Sequence, residues 1–290
     1  MTLEQLRIFV GVAEREHMTR AAEALNVTQS AASGAIAALE GRYGVPLFHR
    51  VGRGIQLTEA GRAFLDEARS VLGRAAHAET LLADYAGLAR GTLRLVASQT
   101  IASYWLPPVL ARFHELHPQI AVELVIDNTE GAAAQVLGGA AELGFVEGVI
   151  DEPALADWIV GQDPMVLVSR AAVAQVDEAW LCAARWIVRE QGSGTRSSFE
   201  GVLRDRGVDP GKLDVTMTLP SNEAVRTAVE AGAGVAALSR LVVAPALQAG
   251  TLSELPFAVP DRPFHALRHK ERYRTRAADA LTDLIKEQAR

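Results

Sequence analysis

Short polar side chains are concentrated at the start of one predicted helix. The residues between Thr19 and Leu39 are predicted to form two short helices joined by a tight turn at Asn26 and Val27. A helix that only packs into a core has little use for an uncharged polar surface at its start. A helix whose first turns enter a DNA major groove uses such groups to reach base edges and phosphates. We therefore predict DNA contacts from four side chains of the second helix: Thr28, which also caps it, Gln29, Ser30 and Ser33.

Two other helices are predicted to support that surface. Helix 1 covers residues 3–16, follows a capping box formed by Thr2 and Gln5, and buries one apolar face. Helix 2 begins near Thr19, which is a good N-cap, and directs alanines inward, which lets helices cross closely. Arg20 on helix 2 is a further candidate for DNA contact. Three short helices with a tight turn of this kind form a helix-turn-helix.

A β-hairpin is predicted directly after the third helix. Two short apolar segments flank a Gly-Arg-Gly turn at residues 52–54, which is typical of a hairpin. Beside a helix-turn-helix such a hairpin is a wing. Arg50 at its base and Arg53 at its tip are suited to the phosphate backbone or the minor groove. The alternative is that both are ordinary solvated loop arginines.

The charge distribution limits how this domain can bind DNA. The chain has 290 residues and a net charge of −6 at pH 7, yet residues 1–58 contain six arginines against five glutamates. The acidic excess therefore lies mainly in the C-terminal part. A nearly neutral DNA-binding domain gains little from non-specific attraction to phosphates, so dimerisation becomes important for its affinity.

A long helix over residues 59–90 is predicted to provide that dimerisation. Its apolar residues recur at alternating steps of four and three, which is the heptad pattern of a coiled coil. Several are alanines, so two helices would approach closely. The alternative is a single amphipathic helix that lies on its own domain. The predicted dimerisation residues are Phe64, Val71, Leu82 and Tyr85.

Strands and helices alternate over residues 91–290 in two halves separated by a break at 151–163. This pattern is typical of an α/β domain. Two α/β lobes leave a ligand cleft at the ends of their strands. We place lobe 1 at residues 91–161 and 265–290, and lobe 2 at residues 162–264.

Hydroxyls and free backbone N–H groups recur in the loops that leave these strands. Such groups at helix N-termini attract anions, although a Ser or Thr before a helix is more often only a cap. Arg196 is assigned equally to the site or to an exposed helix face. The predicted effector-binding residues are Ser98, Gln99, Thr100, Glu147, Gly194, Thr195, Ser221 and Asn222.

Enzymatic function is not favoured by the sequence. It contains no nucleophile elbow, metal-ligand cluster or dinucleotide fingerprint, and its seven histidines are scattered. We predict no catalytic residues, no metal and no cofactor. The single cysteine, Cys182, fits a reducing cytoplasm, and no apolar run approaches a membrane span. An enzyme and a free solute-binding protein are the two alternative classes.

The N-terminal residues resemble the LysR-type transcriptional regulators. The resemblance rests on the ordered motifs LRIFVGVAE, TxAAxxL, VTQSAAS, ALE, GVPLFxR and LTEAG. It implies that Thr28, Gln29, Ser30 and Ser33 of the third helix face DNA and that Arg50 and Arg53 lie on the wing. Many members have proline where Ser30 stands and a long polar side chain where Gly34 stands. Direct base readout is therefore expected to be sparse, and DNA shape more important.

The C-terminal residues are similar to the effector-binding domain of the same family. ASQTIASYWLP, GFVEG and REQGSGTR are similar to the branch that regulates carbon fixation and sulfur assimilation. The resemblance implies a type II periplasmic-binding-protein fold, small anionic effectors such as phosphorylated sugars and oxidised sulfur species, and dimers or tetramers. The irregular stretch 169–176 is shorter than in relatives, and we expect it to alter one wall of the cleft.

Together these observations predict a cytoplasmic, effector-controlled transcription regulator. Its partners are double-stranded promoter DNA, a small effector, a second copy of the chain and, for an activator, RNA polymerase, with no membrane. The predicted domains are a winged helix-turn-helix at 1–58, a linker helix at 59–90 and an effector-binding domain at 91–290.

Overall fold

The computed structural model of the chain divides into an N-terminal and a C-terminal compact unit. Along the part of the chain that it describes, no helix is long and apolar enough to cross a lipid bilayer. The described residues are 1–51, 54–85, 91–148 and 150–288.

The N-terminal unit contains four helices and a two-stranded hairpin among its described residues. As predicted, Thr2 and Gln5 form a capping box and Thr28 caps the third helix. The N-cap of the second helix is His17, two residues before the predicted Thr19, because Nδ1 of His17 accepts a hydrogen bond from the N–H of Arg20. The elements are α1 (Leu3–Arg15), α2 (Met18–Ala24), α3 (Gln29–Tyr43), β1 (Phe48–Val51), β2 (Gly54–Leu57) and α4 (Glu59–Tyr85).

Glu40 and Thr58 attach the hairpin to the helices. One carboxylate oxygen of Glu40 accepts hydrogen bonds from the backbone N–H groups of Leu47 and Phe48, at 2.7 and 3.1 Å. The hydroxyl of Thr58 donates to the carbonyl of Pro46 at 2.8 Å and accepts from the N–H at the start of α4. The wing therefore starts from a position fixed by α3 and α4.

The apolar seam of α4 has two parts. Phe64 packs against Phe9 at a ring-centroid distance of 4.9 Å, and Ala68 is buried, so this part belongs to the core of the same chain. Val71 and Leu82 are exposed, Leu82 by 69%. The side chain of Tyr85 and all of residues 86–90 lie outside the described residues. The sequence thus assigned Phe64 to a partner, whereas the structure gives it a contact within the chain.

The C-terminal unit contains two five-stranded sheets, each with parallel and antiparallel neighbours. The lobe 1 sheet has the order β4-β3-β5-β12-β6 and is covered by helices α5 (Leu106–Leu116), α6 (Thr129–Gly138) and α11 (Arg276–Gln288). A π-helical turn, Ile101–Trp105, leads into α5. The strands are β3 (Gly91–Ser98), β4 (Ile120–Asp127), β5 (Leu143–Glu147), β6 (Leu155–Asp163) and β12 (Arg262–His269).

The lobe 2 sheet has the order β11-β7-β10-β8-β9. Its helices are α7 (Glu178–Ala183), α8 (Gly194–Asp205), α9 (Asn222–Glu230) and α10 (Arg240–Ala249). The strands are β7 (Met165–Ser169), β8 (Arg185–Arg189), β9 (Asp214–Leu219), β10 (Val235–Ser239) and β11 (Ser253–Glu254).

The predicted break at residues 151–163 is wrong over most of its length. Residues from Leu155 onward form β6, which pairs with β12 in lobe 1. The alternation of exposed and buried residues in β6 is imperfect, which explains why the pattern was not visible in the sequence. The chain passes between the lobes at Pro164 and before Arg262, whereas the sequence placed these points after 161 and before 265.

We expect two glycine substitutions in the N-terminal unit to act in opposite directions. An added Cβ at Gly34 in α3 meets no atom within 4 Å, whereas at Gly61 in α4 it would lie 2.1 Å from the carbonyl oxygen of Leu47. Gly34→Ala should raise the free energy of unfolding by about 1 kcal/mol through helix propensity. Gly61→Ala should lower it, and chemical denaturation of both variants measures the difference. Destabilisation by Gly34→Ala would contradict this view of α3.

Candidate DNA and effector sites

The first turn of α3 presents the predicted polar surface. The side chains of Thr28, Gln29 and Ser30 are exposed and that of Ser33 is half-buried. The amide nitrogen of Gln29 donates to the hydroxyl of Ser33 at 3.0 Å, and the hydroxyl of Thr28 accepts from the N–H of Ala31 at 3.1 Å. These bonds limit the rotamers of the surface without removing it from solvent.

Two of the arginines predicted to contact DNA are available for such contacts. Arg20 and Arg50 are exposed, and the described residues contain no ion-pair partner for either of them. Arg53, the predicted tip of the wing, lies outside the described residues.

Arg262 is the central group of the C-terminal unit's polar cluster. It begins β12, where the chain returns from lobe 2, and is only 5% exposed. Its Nε donates to Asp163 at 2.7 Å, and its other nitrogens lie 3.2 Å from the hydroxyl of Thr195, 3.4 Å from that of Thr100 and 3.5 Å from Oε1 of Glu147. Arg262 therefore touches groups of both lobes.

Asp163 neutralises this guanidinium. It is the last residue of β6, from which the chain passes into lobe 2. Its carboxylate is fully buried, lies 2.6 Å from Nη2 of Arg262 and accepts from the hydroxyl of Ser239 at 2.5 Å. Burial raises the pKa of Asp163 above its ordinary value, although the charge of Arg262 and the hydrogen bond from Ser239 lower it. The end of β10 in lobe 2 is thus tied to both strands that cross between the lobes.

Arg189 forms a second buried cationic centre at the end of β8. Its Nη1 donates to Oδ1 of Asn222 at 2.6 Å and to the side-chain oxygen of Gln99 at 3.0 Å. Glu190 binds the same guanidinium with both carboxylate oxygens, at 2.8 and 2.9 Å. The amide of Asn222 also donates to the hydroxyl of Thr100 at 2.9 Å, which links the two arginine centres.

Glu223 extends the contacts between the lobes. Its carboxylate accepts from the amide of Gln99 at 2.6 Å and from the hydroxyl of Tyr104 at 3.1 Å. Burial, together with the charge of Glu223, raises the pKa of the Tyr104 hydroxyl. A further hydrogen bond runs from the backbone N–H of Asn222 to the side-chain oxygen of Gln99 at 2.7 Å. With it, five hydrogen bonds join residues 99–104 of lobe 1 to the start of α9 and the end of β8 in lobe 2.

The start of α8 approaches lobe 1 at a position where only glycine fits. A Cβ on Gly194 would lie 2.4 Å from the carbonyl oxygen of Glu147 and 2.5 Å from the hydroxyl of Thr129. Ser193 precedes the helix but makes no side-chain capping bond, in contrast to Ser221, whose hydroxyl caps α9 at the N–H of Ala224. Of the predicted hydroxyl groups, Ser221 is thus engaged as a cap.

An unpartnered hydroxyl also belongs to this region. Oγ of Ser98, at the end of β3, is buried and makes no hydrogen bond with any described residue. Buried polar groups are normally paired, so this hydroxyl keeps an unused capacity to donate and accept a hydrogen bond.

The structure brings together most of the predicted effector residues. Gln99, Thr100, Glu147, Gly194, Thr195 and Asn222 are linked by the contacts above. Arg196 was assigned equally to the anion site or to an exposed helix face. Its side chain is half-buried, and its guanidinium donates to Glu200 at 2.8 Å and to the carbonyl of Arg189 at 3.2 Å.

The sequence analysis missed Arg189, Arg262 and Asp163. A charged residue at the boundary of an apolar strand, as in WIVR, was the only available signal. The predicted role of residues 169–176 as a wall of the cleft is wrong, because Ser169 pairs with Val235 at the opposite end of the lobe 2 sheet. Among the described side chains there is no group of three His, Cys, Asp or Glu residues able to hold a metal ion.

We expect the Arg262 pair to respond asymmetrically to substitution. Arg262→Gln leaves the carboxylate of Asp163 buried without its partner, which should cost about 3–5 kcal/mol in the free energy of unfolding of the C-terminal unit. Adding Asp163→Asn should recover part of that loss, because the unpaired charge is then removed. Denaturant titration of both variants, with Arg268→Gln in the same strand as control, measures this. Equal stability of Arg262→Gln and Arg268→Gln would contradict it.

The two units match two family models. Residues 3–62 match the bacterial regulatory helix-turn-helix protein of the lysR family, and residues 86–290 match the LysR substrate binding domain. The uncharacterized HTH-type transcriptional regulator YeiE of Escherichia coli K12 is 35% identical over 98% of this chain and 96% of its own. The probable RuBisCO transcriptional regulator of Trichormus variabilis is 31% identical over 98% of this chain and 87% of its own.

Solved structures share the fold. CbnR, a LysR family transcriptional regulator, superposes with a TM-score of 0.70 at 21% identity over 100% of both chains. The regulatory domain of Synechocystis PCC6803 CcmR in complex with 2-PG gives a TM-score of 0.60 at 22% identity, covering 69% of this chain and 97% of that one. The family models and the relatives establish that this chain belongs to the LysR family of DNA-binding transcriptional regulators that carry an effector-binding domain.

Proposed function

We propose that the effector is a small oxyanion bound where the two lobes meet. The observation that carries this proposal is the pair of buried arginines, Arg189 and Arg262, each of which hydrogen-bonds across the junction of the lobes. Guanidinium groups are the usual partners of planar or tetrahedral oxyanions. The start of α8 adds backbone N–H groups without a side-chain cap.

The buried acids narrow the kind of anion that fits. Asp163 already neutralises Arg262, and Glu190 neutralises Arg189. Oε1 of Glu147 lies 3.5 Å from Nη2 of Arg262, which is the longest of the polar contacts that Arg262 makes. The carboxylate of Glu147 makes no other hydrogen bond with the described residues. An effector that carries both an oxyanion and a hydrogen-bond donor would satisfy Arg262 and Glu147 together, whereas an anion without a donor would be repelled by Glu147.

The position of Arg262 supplies a route from binding to regulation. Arg262 and Asp163 lie on the two strands that cross between the lobes, and both contact lobe 2 side chains. An effector that binds these groups better in one lobe arrangement shifts the population toward it. A preference of a few kcal/mol is sufficient to switch occupancy.

We expect Thr195→Trp to abolish the response to effector while DNA binding remains. Thr195 is buried and its hydroxyl accepts from Arg262, so an indole at this position fills the junction of the lobes. Thermal-shift measurements with inorganic phosphate and 2-PG, and with sulfate as an anion that carries no hydrogen-bond donor, followed by promoter-DNA binding with any anion that stabilises the protein, test this.

Thr227→Trp is the matched control, because Thr227 is exposed on α9. A full response to anion in Thr195→Trp would move the effector site elsewhere. Failure of every small anion to stabilise the unsubstituted protein would count against an oxyanion effector.

For DNA recognition we propose that α3 enters the major groove and the wing contacts the backbone. Thr28, Gln29, Ser30 and Ser33 would reach bases or phosphates, and Arg20, Arg50 and Arg53 would supply positive charge. The exposed residues Val71 and Leu82 of α4 support pairing of two copies along this helix, as a dimer or within a tetramer. Two copies would read two half-sites.

We expect Gln29→Ala to weaken binding to the operator by about 5- to 100-fold, the range for loss of one good base contact. An electrophoretic mobility shift assay with the promoter DNA next to the gene for this protein measures the affinity. Gln248→Ala, at an exposed helical glutamine of lobe 2, is the control. Anion binding by the Gln29→Ala variant distinguishes a lost DNA contact from misfolding. Loss of DNA binding and anion binding together would indicate misfolding.

The place of action follows from this role. We infer that the chain acts in the cytoplasm, where promoter DNA lies, and that it contacts RNA polymerase if it activates transcription.

A further inference from the structure

A second recess lies at the end of lobe 2 opposite the effector cleft. It has a volume of about 670 Å³ and is formed where β7 ends and where β8 and β10 begin. Arg185 and Arg189 are the first and last residues of β8, so about 13 Å of strand separates this recess from the effector cluster. The recess is also where the short loop 169–176 is located.

Two arginines line the recess from the two strands that flank β10. Arg170 follows β7 and Arg185 begins β8, while the start of β10 lies between them because Val235 pairs with both Ser169 and Trp186. Both side chains are exposed, and the residues that the structure describes provide neither with an ion-pair partner. Uncompensated guanidinium groups in a concave surface favour an anion.

Glycines fix the position of this cationic surface. Gly232 has a φ of +85°, a conformation that favours glycine, and a Cβ there would lie 3.5 Å from Nη1 of Arg170. A Cβ on Gly234 would lie 2.2 Å from the carbonyl oxygen of Arg185. The backbone of residues 232–234 therefore forms a floor that reaches both arginine segments.

The remaining lining is apolar. Trp180 of α7 is half-buried and lines the recess together with Val173 and three alanines. The hydroxyl of Ser169 is engaged by the carbonyl of Ala171, so it holds the loop in place. A site of 300–1,000 Å³ with apolar walls and a few polar groups has the dimensions of a small-molecule site.

We propose that this recess is a second ligand site, separate from the cleft between the lobes, and that it binds a small organic acid. The carboxylate pairs with Arg170 and Arg185, and an aromatic or branched apolar body packs on Trp180. The inference stands on the geometry of lobe 2 alone and does not depend on which effector occupies the cleft.

The test is calorimetric titration of the full-length protein with phenylacetate and with indole-3-acetate, each beside its primary amide. Both acids should bind and the amides should bind at least tenfold more weakly, because the charge-assisted hydrogen bonds are lost. Arg170→Gln and Arg185→Gln should each weaken binding of the acids by about tenfold. Lys212→Gln, which removes one exposed positive charge from the same lobe, should leave it unchanged.

Three results would overturn the proposal. The first is no binding of either acid to the unsubstituted protein. The second is equal binding by Arg170→Gln, Arg185→Gln and Lys212→Gln, which would place the acids elsewhere. The third is binding of an acidic peptide such as acetyl-Glu-Trp-Glu-amide but of neither acid, which would make the recess a contact surface for a protein partner.

Discussion

A buried positive charge must be matched where it lies, and that constraint organises the effector-binding domain. Arg262 cannot be withdrawn from water without a carboxylate beside it, because the desolvation of an unpaired ion costs several kcal/mol. Asp163 supplies that carboxylate from the other crossing strand. The electrostatic requirement thus holds together the two segments at which the chain passes between lobes, and Ser239 extends the constraint into the second sheet.

The hydrogen bonds between the lobes also limit the affinity that a ligand can gain there. Gln99, Asn222 and Thr100 already hydrogen-bond to one another or to Arg189. An effector gains affinity only where it replaces these bonds with better ones or pairs a group that has no partner, since the net gain of exchanging one hydrogen bond for another is small. Ser98 is such a group, and Glu147 is nearly so. At the proposed site, selectivity would therefore come as much from the buried acids as from the arginines.

The sequence predicts the N-terminal unit more fully than the C-terminal one because its signals are local. The capping box at Thr2, the cap at Thr28 and the wing turn each depend on residues within a few positions of one another. Even there one cap was predicted wrongly, because a histidine nitrogen is a less common cap than a hydroxyl. His17, and not Thr19, caps α2.

Contacts between residues far apart in the chain explain why some site residues of the C-terminal unit were not predicted from the sequence. Thr100, Glu147 and Thr195 were accessible to prediction because each follows a recognisable strand or opens a helix. Arg262 was not, because its burial depends on Asp163, which is 99 residues away in the chain. The short loop 169–176 was assigned to the wrong end of its lobe because β7 runs antiparallel to β10, a direction that apolar strands do not reveal.

The carboxylate of Glu40 has a mechanical consequence for operator choice. By accepting two backbone N–H groups at the base of the wing, it fixes the angle between the recognition helix and the hairpin. In the proposed mode of DNA binding, each head would therefore present α3 and the wing to one half-site at a fixed spacing. In the proposed pair, the phase between the two heads would then decide which operators fit, and half-sites moved by half a helical turn of DNA would face the wrong side of the duplex.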